Sequence, residues 1–290
     1  ETRSEALKIP LNYEINEIGY MVSSIEANQV FYDGFDRSRI CGYYLLPKTR
    51  GPHPAIVWFH GYGGSKDRII SYLKWVLLGY AVLAIDIKGQ SGQSLDRSVY
   101  PPPSTVGYMT KGVFDPYHYY YRGVYMDCLK AVQFLEGRPE IDKDRICLTG
   151  ASQGGGLSLA VAALSSLPKL VIADVPYLCH FRRAVQWAEE AKNITYLEFA
   201  SLIQKFPEKE EQMFKSLSYF DNLNLAAWVK ARTVITCATK DLICPPSTIF
   251  AVYNQVEAPK TIKVMPFYGH DLHTVTAFDE ERLQFLLNYL

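Results

Sequence analysis

Short apolar runs recur along the chain and alternate with stretches whose apolar residues follow a helical spacing. Runs that are apolar throughout are typical of strands buried on both faces of a sheet. Because strands and helices alternate, the pattern predicts a mostly parallel sheet with helices on both faces. The predicted buried strands cover residues 55–59, 80–87, 146–148, 170–175, 232–238 and 261–265. The predicted helices cover residues 66–78, 119–136, 247–255 and 277–290.

Three stretches depart from this alternation. Residues 1–46 contain three segments rich in strand formers, 15–24, 28–33 and 39–46, which predict antiparallel strands at the start of the sheet. Residues 88–118 form a long loop with Pro and Gly, and loops of this length are usually functional. Residues 177–230 hold several short helical patterns, which predict an inserted helical cap with the charged run 205–215 on its solvated face. The chain, residues 1–290, is therefore expected to form a single domain.

The composition narrows the classes of protein. The chain has 290 residues, of which 48% are hydrophobic, so it can bury the core of one large domain. Its 30 basic and 30 acidic residues cancel, so the charge gives no reason to expect a nucleic-acid or membrane partner. The apolar run 75–85 is too short to span a bilayer, and no signal peptide is evident. Six scattered cysteines favour a reduced, cytoplasmic protein.

The segment Gly150-Ala-Ser-Gln-Gly154 lies between a predicted buried strand and a predicted helix. This order of strand, G-x-S-x-G and helix is typical of the nucleophile elbow of α/β-hydrolases. The sharp turn would raise the hydroxyl of Ser152 above the sheet edge in a strained conformation. Gly150 and Gly154 are expected because a Cβ at either position would collide with a neighbouring element.

Two further candidates follow later strands, at the sheet edge where parallel α/β folds bind ligands. Asp241 follows the strand 232–238, and His270 follows the strand 261–265. The chain order Ser, Asp, His is that of the α/β-hydrolase triad. Ser152 needs a base, a neutral histidine suits that task near pH 7, and Asp241 would orient the histidine. His273 competes with His270, which is preferred because it directly follows a glycine turn.

Other acidic residues are rivals for the triad. Asp86 and Asp174 also end strands, but they come too early in the chain for the usual acid position. Asp221 lies in the predicted cap and is a further rival. Asp241 itself has an alternative reading as a turn or helix cap before Pro245.

The loop His60-Gly-Tyr-Gly-Gly64 follows the buried strand 55–59. In α/β-hydrolases this loop supplies the second backbone amide of the oxyanion hole. The amide of Tyr62 is the candidate here, paired with that of Gln153 at the helix N-terminus. His60 is expected to brace the loop rather than act as a base. No cluster has metal-ligand spacing and no G-x-G-x-x-G opens a helix, so neither a metal nor a dinucleotide cofactor is expected.

From about residue 11 onward the chain resembles the acetyl xylan esterase / cephalosporin C deacetylase family of carbohydrate esterases. The resemblance rests on the segments 150–155, 241–248, 269–270 and 86–92. The last of these, Asp-Ile-Lys-Gly-Gln-Ser-Gly, is similar to the Arg-Gly-Gln signature of the family, with lysine in place of arginine. In addition, Asp271 stands where the family usually has glutamate after the histidine.

The resemblance implies a fold, an activity and a set of site residues. The expected activity removes acetyl groups from small O-acetylated molecules, including xylo-oligosaccharides and cephalosporin C. The expected assembly is a cytoplasmic, ring-shaped hexamer. The family's triad maps to Ser152, Asp241 and His270, and its oxyanion hole maps to the amides of Tyr62 and Gln153. Residues that support the site would be Lys88, Gly89, Gln90 and His60.

The sequence thus predicts a serine ester hydrolase that acts through an acyl-enzyme. The loop 88–118 and the cap 177–230 would leave room for a small acyl group only, so acetate should be preferred over long chains. Two alternatives remain open at this stage: a serine peptidase or another short-chain acyl esterase on the same fold, and a non-catalytic binding protein with a relic triad.

Overall fold

A mixed sheet of nine strands runs through the part of the chain that the computed structural model describes, residues 1–191, 196–271 and 277–290. The spatial order is β1-β2-β3-β5-β4-β6-β7-β8-β9. Strands β1, β2 and β3 pair antiparallel with one another and β3 pairs antiparallel with β5, whereas all later pairs are parallel. The strands are β1 (Glu14–Glu17), β2 (Ile25–Asp33), β3 (Arg39–Pro47), β4 (His53–Phe59), β5 (Ala81–Ile85), β6 (Ile141–Ala151), β7 (Leu170–Asp174), β8 (Arg232–Ala238) and β9 (Lys260–Met265).

Helices cover both faces of the sheet, as predicted. Buried residues of α3, α4 and α9 belong to the larger hydrophobic core, and those of α2 and α10 belong to a second core on the opposite face. The strands between the two cores are apolar on both sides because each face is covered. The helices are α1 (Thr2–Lys8), α2 (Leu73–Leu77), α3 (Tyr120–Glu136), α4 (Gln153–Leu164), α5 (Phe181–Ala191), α6 (Leu197–Lys205), α7 (Glu210–Leu217), α8 (Asn222–Leu225), α9 (Pro246–Gln255) and α10 (Ala277–Tyr289).

Helices α5 to α8 lie between β7 and β8 and form the predicted cap. Their apolar side chains, among them Phe199, Leu202, Met213 and Leu217, join the larger core. The charged side chains of the run 205–215 lie exposed or half-buried at the surface, as predicted. The cap is therefore packed onto the larger core through one apolar side.

The prediction of a helix over residues 66–78 is wrong. The chain forms a short 3-10 turn over Ile69–Tyr72 and then α2. The helical spacing would place Ile70 and Leu77 on the apolar face of the predicted helix, but they are 63% and 56% exposed. The reason is a contact distant in sequence. The backbone amide and the ammonium group of Lys66 both bond to the buried carboxylate of Asp86, each at 2.6 Å. These bonds hold the chain in a non-helical course before Ile69.

Helix α1 was not predicted, because a single residue of it, Ala6, is buried. Such a helix lacks the apolar stripe that identifies a helix from sequence. The first predicted strand, 15–24, is also too long, since β1 has four residues. Within the described residues no helix is both long enough and apolar enough to cross a membrane.

The Lys66–Asp86 pair generates a stability prediction. Asp86→Asn leaves the buried ammonium of Lys66 uncompensated, and losing one member of a buried pair costs about 3–5 kcal/mol. Urea unfolding should therefore show a large fall in the free energy of unfolding. The matched control is Glu211→Gln, which breaks an exposed pair with Arg182 and should change stability little. Equal effects of the two variants would contradict this account.

Candidate active site

Ser152 lies at the turn between β6 and α4 with φ 56° and ψ −119°, a backbone conformation that residues other than glycine rarely adopt. Three backbone hydrogen bonds hold it there. Its amide donates to the carbonyl of Asp174 at 2.9 Å, and its carbonyl accepts from the amides of Tyr177 at 2.9 Å and Gly156 at 3.0 Å. The serine is thus fixed between the end of β7 and the first turn of α4, as a nucleophile elbow requires.

The two glycines of the elbow are required by close packing. A Cβ on Gly150 would lie 2.3 Å from the carbonyl oxygen of Phe59, and one on Gly154 would lie 2.0 Å from the same atom. Both distances are far below van der Waals contact, so α4 can approach the end of β4 only without side chains here. The predicted reason for these glycines is confirmed.

Asp241 lies in the turn after β8 and is buried. Its Oδ1 accepts the amides of Ile243 and Cys244, both at 2.8 Å, and its Oδ2 accepts a hydrogen bond from Nδ1 of His270 at 2.8 Å. A neutral histidine with its proton on Nδ1 has its lone pair on Nε2, the tautomer that a general base needs. The competing candidate His273 lies outside the described residues.

Hydrogen bonds between two loops bring the histidine to the carboxylate. The amide of Lys240, after β8, donates to the carbonyl of Tyr268 at 2.9 Å. The amide of Phe267 donates to Oγ1 of Thr239 at 2.8 Å. These contacts pin the turn after β9 to the turn after β8, and His270 follows directly.

The rival acids are engaged elsewhere. Asp86 bonds to Lys66, and Asp174 accepts the Nε of Arg282 at 2.9 Å. Asp221 lies beside the start of α5, where its two oxygens accept the backbone amides of His180 and Phe181 at 2.7 and 2.8 Å. These contacts give each rival a structural role of its own.

Ser152 and His270 line the same cavity, which has a volume of about 630 Å³. His60 and Tyr62 line it as well. Of the four segments on which the family resemblance rests, three supply lining residues, namely Ser152, Ile243 and His270. The fourth, residues 86–92, lies behind it as support.

The loop after β4 is braced by the ring of His60. Its Nε2 accepts the amide of Ile87 at 2.9 Å, and its Nδ1 donates to the carbonyl of Gly61 at 2.7 Å. Burial lowers the pKa of His60, which keeps the ring neutral. Further along the loop, the amide of Gly63 donates to Oε1 of Gln90 at 2.8 Å. The loop that carries Tyr62 is thus held at both ends.

Gln90 also connects this loop to the elbow. Its Nε2 donates to Oε1 of Gln153 at 2.9 Å and to the hydroxyl of Tyr120 at 3.1 Å. The hydroxyl of Tyr121 donates to the same oxygen of Gln153 at 2.8 Å, and that of Tyr120 donates to the carbonyl of Lys88 at 2.6 Å. This buried network joins the two predicted oxyanion-hole segments through the side chains of Gln90 and Gln153.

Lys88 reaches its partners over longer distances. Its ammonium group donates to Ser98 at 3.2 Å and lies 3.8 Å from Asp36 and 3.9 Å from Asp127. Among the described residues no donor bonds to Oδ2 of Asp127. Burial raises the pKa of Asp127 to about 7, with Lys88 opposing the rise. Gly89 allows the intervening turn, because its φ is 69°.

The sequence analysis did not place Cys244 at the site, although this cysteine follows Asp241 by three residues in the same turn. Possible ligand atoms of Asp241, Cys244 and His270 all lie within 4.8 Å of one another, a geometry that could hold a metal. However, the carboxylate and the imidazole are already bonded to each other, and burial raises the pKa of the Cys244 thiol well above its usual value. A neutral thiol is a poor ligand, so the arrangement favours a triad over a metal site.

Glu198 in the cap helix α6 was also missed. Its carboxylate accepts the hydroxyl of Tyr62 at 2.6 Å. A lone glutamate in a helix without a motif carries no signal in one sequence, because its partner is 136 residues away.

A strained serine at a strand-to-helix turn, with a buried Asp–His pair beside it, defines an α/β-hydrolase. The family is given by comparison with known proteins. Residues 1–289 match the family model described as Acetyl xylan esterase (AXE1), and the chain belongs to this family. The predicted fold class and the family resemblance are therefore confirmed.

Relatives extend over nearly the whole chain. Acetyl xylan esterase from Paenibacillus sp. is 39% identical with a TM-score of 0.94, covering 100% of this chain and 92% of that one. Acetyl xylan esterase 1 from Thermoanaerobacterium sp. is 33% identical with a TM-score of 0.93, covering 99% and 92%. Acetyl esterase Axe7A from Xylanibacter ruminicola is 28% identical over 276 residues, which are 92% of this chain and 60% of the relative. The chain therefore spans about 60% of the length of that relative.

The buried carboxyl of Asp127 generates a pH prediction. Its folded-state pKa of about 7 lies above the ordinary pKa of 3.8 for an aspartate, so the folded protein holds this proton more tightly than the unfolded chain. The resulting stability is full below about pH 4 and is lost as the pH rises through about 7. Urea unfolding at several pH values should show wild type losing stability relative to Asp127→Asn over this range. Parallel curves for the two proteins would contradict the buried proton.

Proposed function

We propose that this protein is a serine carbohydrate esterase that removes acetyl groups from small O-acetylated substrates, such as acetylated xylo-oligosaccharides and cephalosporin C-like acetyl esters. The observation that carries the proposal is the bond from His270 to the buried carboxylate of Asp241 at the cavity of Ser152. Family membership supports the acetyl substrate, because relatives named acetyl xylan esterase match along nearly the whole chain.

The proposed reaction has two halves. In the first, Oγ of Ser152 bonds to the ester carbonyl carbon while Nε2 of His270 takes its proton. The bond to the sugar oxygen then breaks, and His270 returns the proton to the leaving alcohol. In the second half, His270 takes a proton from water and the hydroxide adds to the acetyl-serine. The bond to Oγ of Ser152 then breaks as His270 returns the proton to that oxygen, and the acetic acid released ionises to acetate in water. Asp241 stays ionised and stabilises the imidazolium in both halves.

The negative charge that develops on the carbonyl oxygen needs donors in place beforehand. We assign these donors to the backbone amides of Tyr62 and Gln153. One such donor is typically worth about 2.7–4 kcal/mol in the transition state. The side-chain network of Gln90 supports the assignment, because it couples the loop of Tyr62 to the elbow.

Two further properties belong to the proposal. We infer from the family resemblance that the protein forms a homo-oligomer, specifically a hexamer, and that it is cytoplasmic. The six cysteines are all buried and unpaired, which supports a reducing compartment.

Acetate release from acetylated xylo-oligosaccharides tests the function directly. Ser152→Ala removes the nucleophile and should lower kcat by about 10⁴-fold or more, because the remaining groups act as a unit with it. The matched control is Ser71→Ala, which changes another serine lining the same cavity and should stay within about threefold of wild type. Activity that survives in Ser152→Ala would contradict the proposal, and turnover of peptide amides instead would favour a peptidase.

The size of the acyl pocket gives a second test. The cap and the loop 88–118 meet beside the oxyanion loop, since Glu198 of the cap bonds to the hydroxyl of Tyr62 at 2.6 Å and to the amide of Met109 at 3.0 Å. We therefore expect kcat/KM for p-nitrophenyl acetate to exceed that for the octanoate by about 100-fold or more, as several methylenes find no room. A preference for octanoate would contradict the proposed acetyl specificity.

A further inference from the structure

We propose that Glu198, supplied by the inserted cap, is a positioning residue that holds Tyr62 in place for the oxyanion hole. The inference rests on the proposed function, because it concerns the reaction at Ser152. Glu198 lies on α6, and Tyr62 lies in the loop after β4. The cap would then complete the catalytic site as well as cover it.

One carboxylate joins three separate segments of the chain. Its Oε1 accepts the hydroxyl of Tyr62 at 2.6 Å, and its Oε2 accepts the amide of Met109 at 3.0 Å. The hydroxyl of Tyr62 in turn accepts the amide of Tyr108 at 2.7 Å. The cap, the long loop 88–118 and the oxyanion loop therefore meet at Glu198.

The long loop is shaped around this carboxylate. Gly107 has a φ of 111°, and a Cβ on it would lie 2.2 Å from Oε1 of Glu198. The rings of Tyr62 and Tyr108 pack edge to face with their centroids 5.5 Å apart. Such packing and the absence of a side chain at residue 107 leave the carboxylate a single tight position.

The contacts require a carboxylate rather than an amide. Two donors, the Tyr62 hydroxyl and the Met109 amide, face two acceptor oxygens. A glutamine offers one oxygen and one NH₂ group. In one orientation its NH₂ group faces the Met109 amide, which is also a donor, and in the other the hydroxyl proton of Tyr62 loses the acceptor that Glu198 provides. Burial raises the pKa of Glu198, and both donors oppose the rise because they favour the ionised form.

Tyr62 is consequently held at two points, the backbone amide that follows it and the hydroxyl at the far end of its ring. The next amide in the chain, that of Gly63, donates to Gln90, and the ring of Tyr62 is fixed at its far end by Glu198. An amide that stabilises a developing oxyanion must be in place before the charge forms. Loosening one of these two anchors should therefore slow the chemical step more than it weakens substrate binding.

The test compares Glu198→Gln with wild type on p-nitrophenyl acetate. Active sites are counted with a serine-reactive fluorophosphonate, so that kcat refers to folded, reactive protein. We expect kcat per site to fall about 10-fold or more with KM within about threefold, a part of the 10²–10³-fold loss seen when an oxyanion donor is removed. A merely structural role would lower the number of titratable sites and leave kcat per site unchanged, which would overturn the proposal.

Two further variants identify the route of the effect. Gln212→Ala cuts another contact between the cap and the same long loop, from Nε2 of Gln212 to the carbonyl of Phe114 at 3.1 Å. It should stay within about twofold of wild type. Tyr62→Phe removes the hydroxyl that Glu198 holds, so the double variant with Glu198→Gln should be no slower than the slower single variant. Losses that multiply in the double variant, or an equal loss in Gln212→Ala, would overturn the proposed role of Glu198.

The rate of fluorophosphonate labelling separates this inference from the proposed function. A wild type that is labelled at Ser152 but turns over no ester would contradict the function alone. The proposed role of Glu198 is then tested by the labelling rate, which should be lower in Glu198→Gln and unchanged in Gln212→Ala. A wild type inert towards both reagents would overturn both proposals.

Discussion

The structure depends on the left-handed backbone of Ser152 and the three hydrogen bonds that hold it. Two of the bonds involve Asp174 and Tyr177, at and just after the end of β7, and the third involves Gly156 in the first turn of α4. They fix the strained turn only because Gly150 and Gly154 let α4 approach the end of β4. Backbone strain of this kind persists where surrounding structure determines it, and here it aims one hydroxyl at the cavity.

Around this turn the site is assembled from loops that bond to one another. The turns after β8 and β9 are joined by backbone contacts, which place His270 on Asp241. The loop after β4 is joined to the elbow through Gln90 and to the cap through Glu198. Buried polar groups in such networks are costly unless every partner is present. The same contacts that stabilise the loops therefore give the proposed site one geometry.

The sequence predicted what is encoded locally. The parallel sheet follows from apolar runs, and the elbow follows from a motif with its strand and helix. The positions of Asp241 and His270 follow from strand ends. It failed where a contact distant in sequence decides the outcome: Asp86 holds Lys66 and shortens the helix predicted over 66–78. The role of Glu198 could not be predicted for the same reason, since its partners lie in other segments of the chain.

The most direct test of the account is the mass of the protein quenched in acid during turnover of p-nitrophenyl acetate. Peptide mapping should find one acetyl group on the peptide of Ser152, because the proposed path passes through an acetyl-serine. The acetylated fraction should rise in Asp241→Asn if deacylation slows more than acylation does. Acetate release with no acetyl group on the protein, or an acetyl group on another residue such as Cys244, would contradict the central claim.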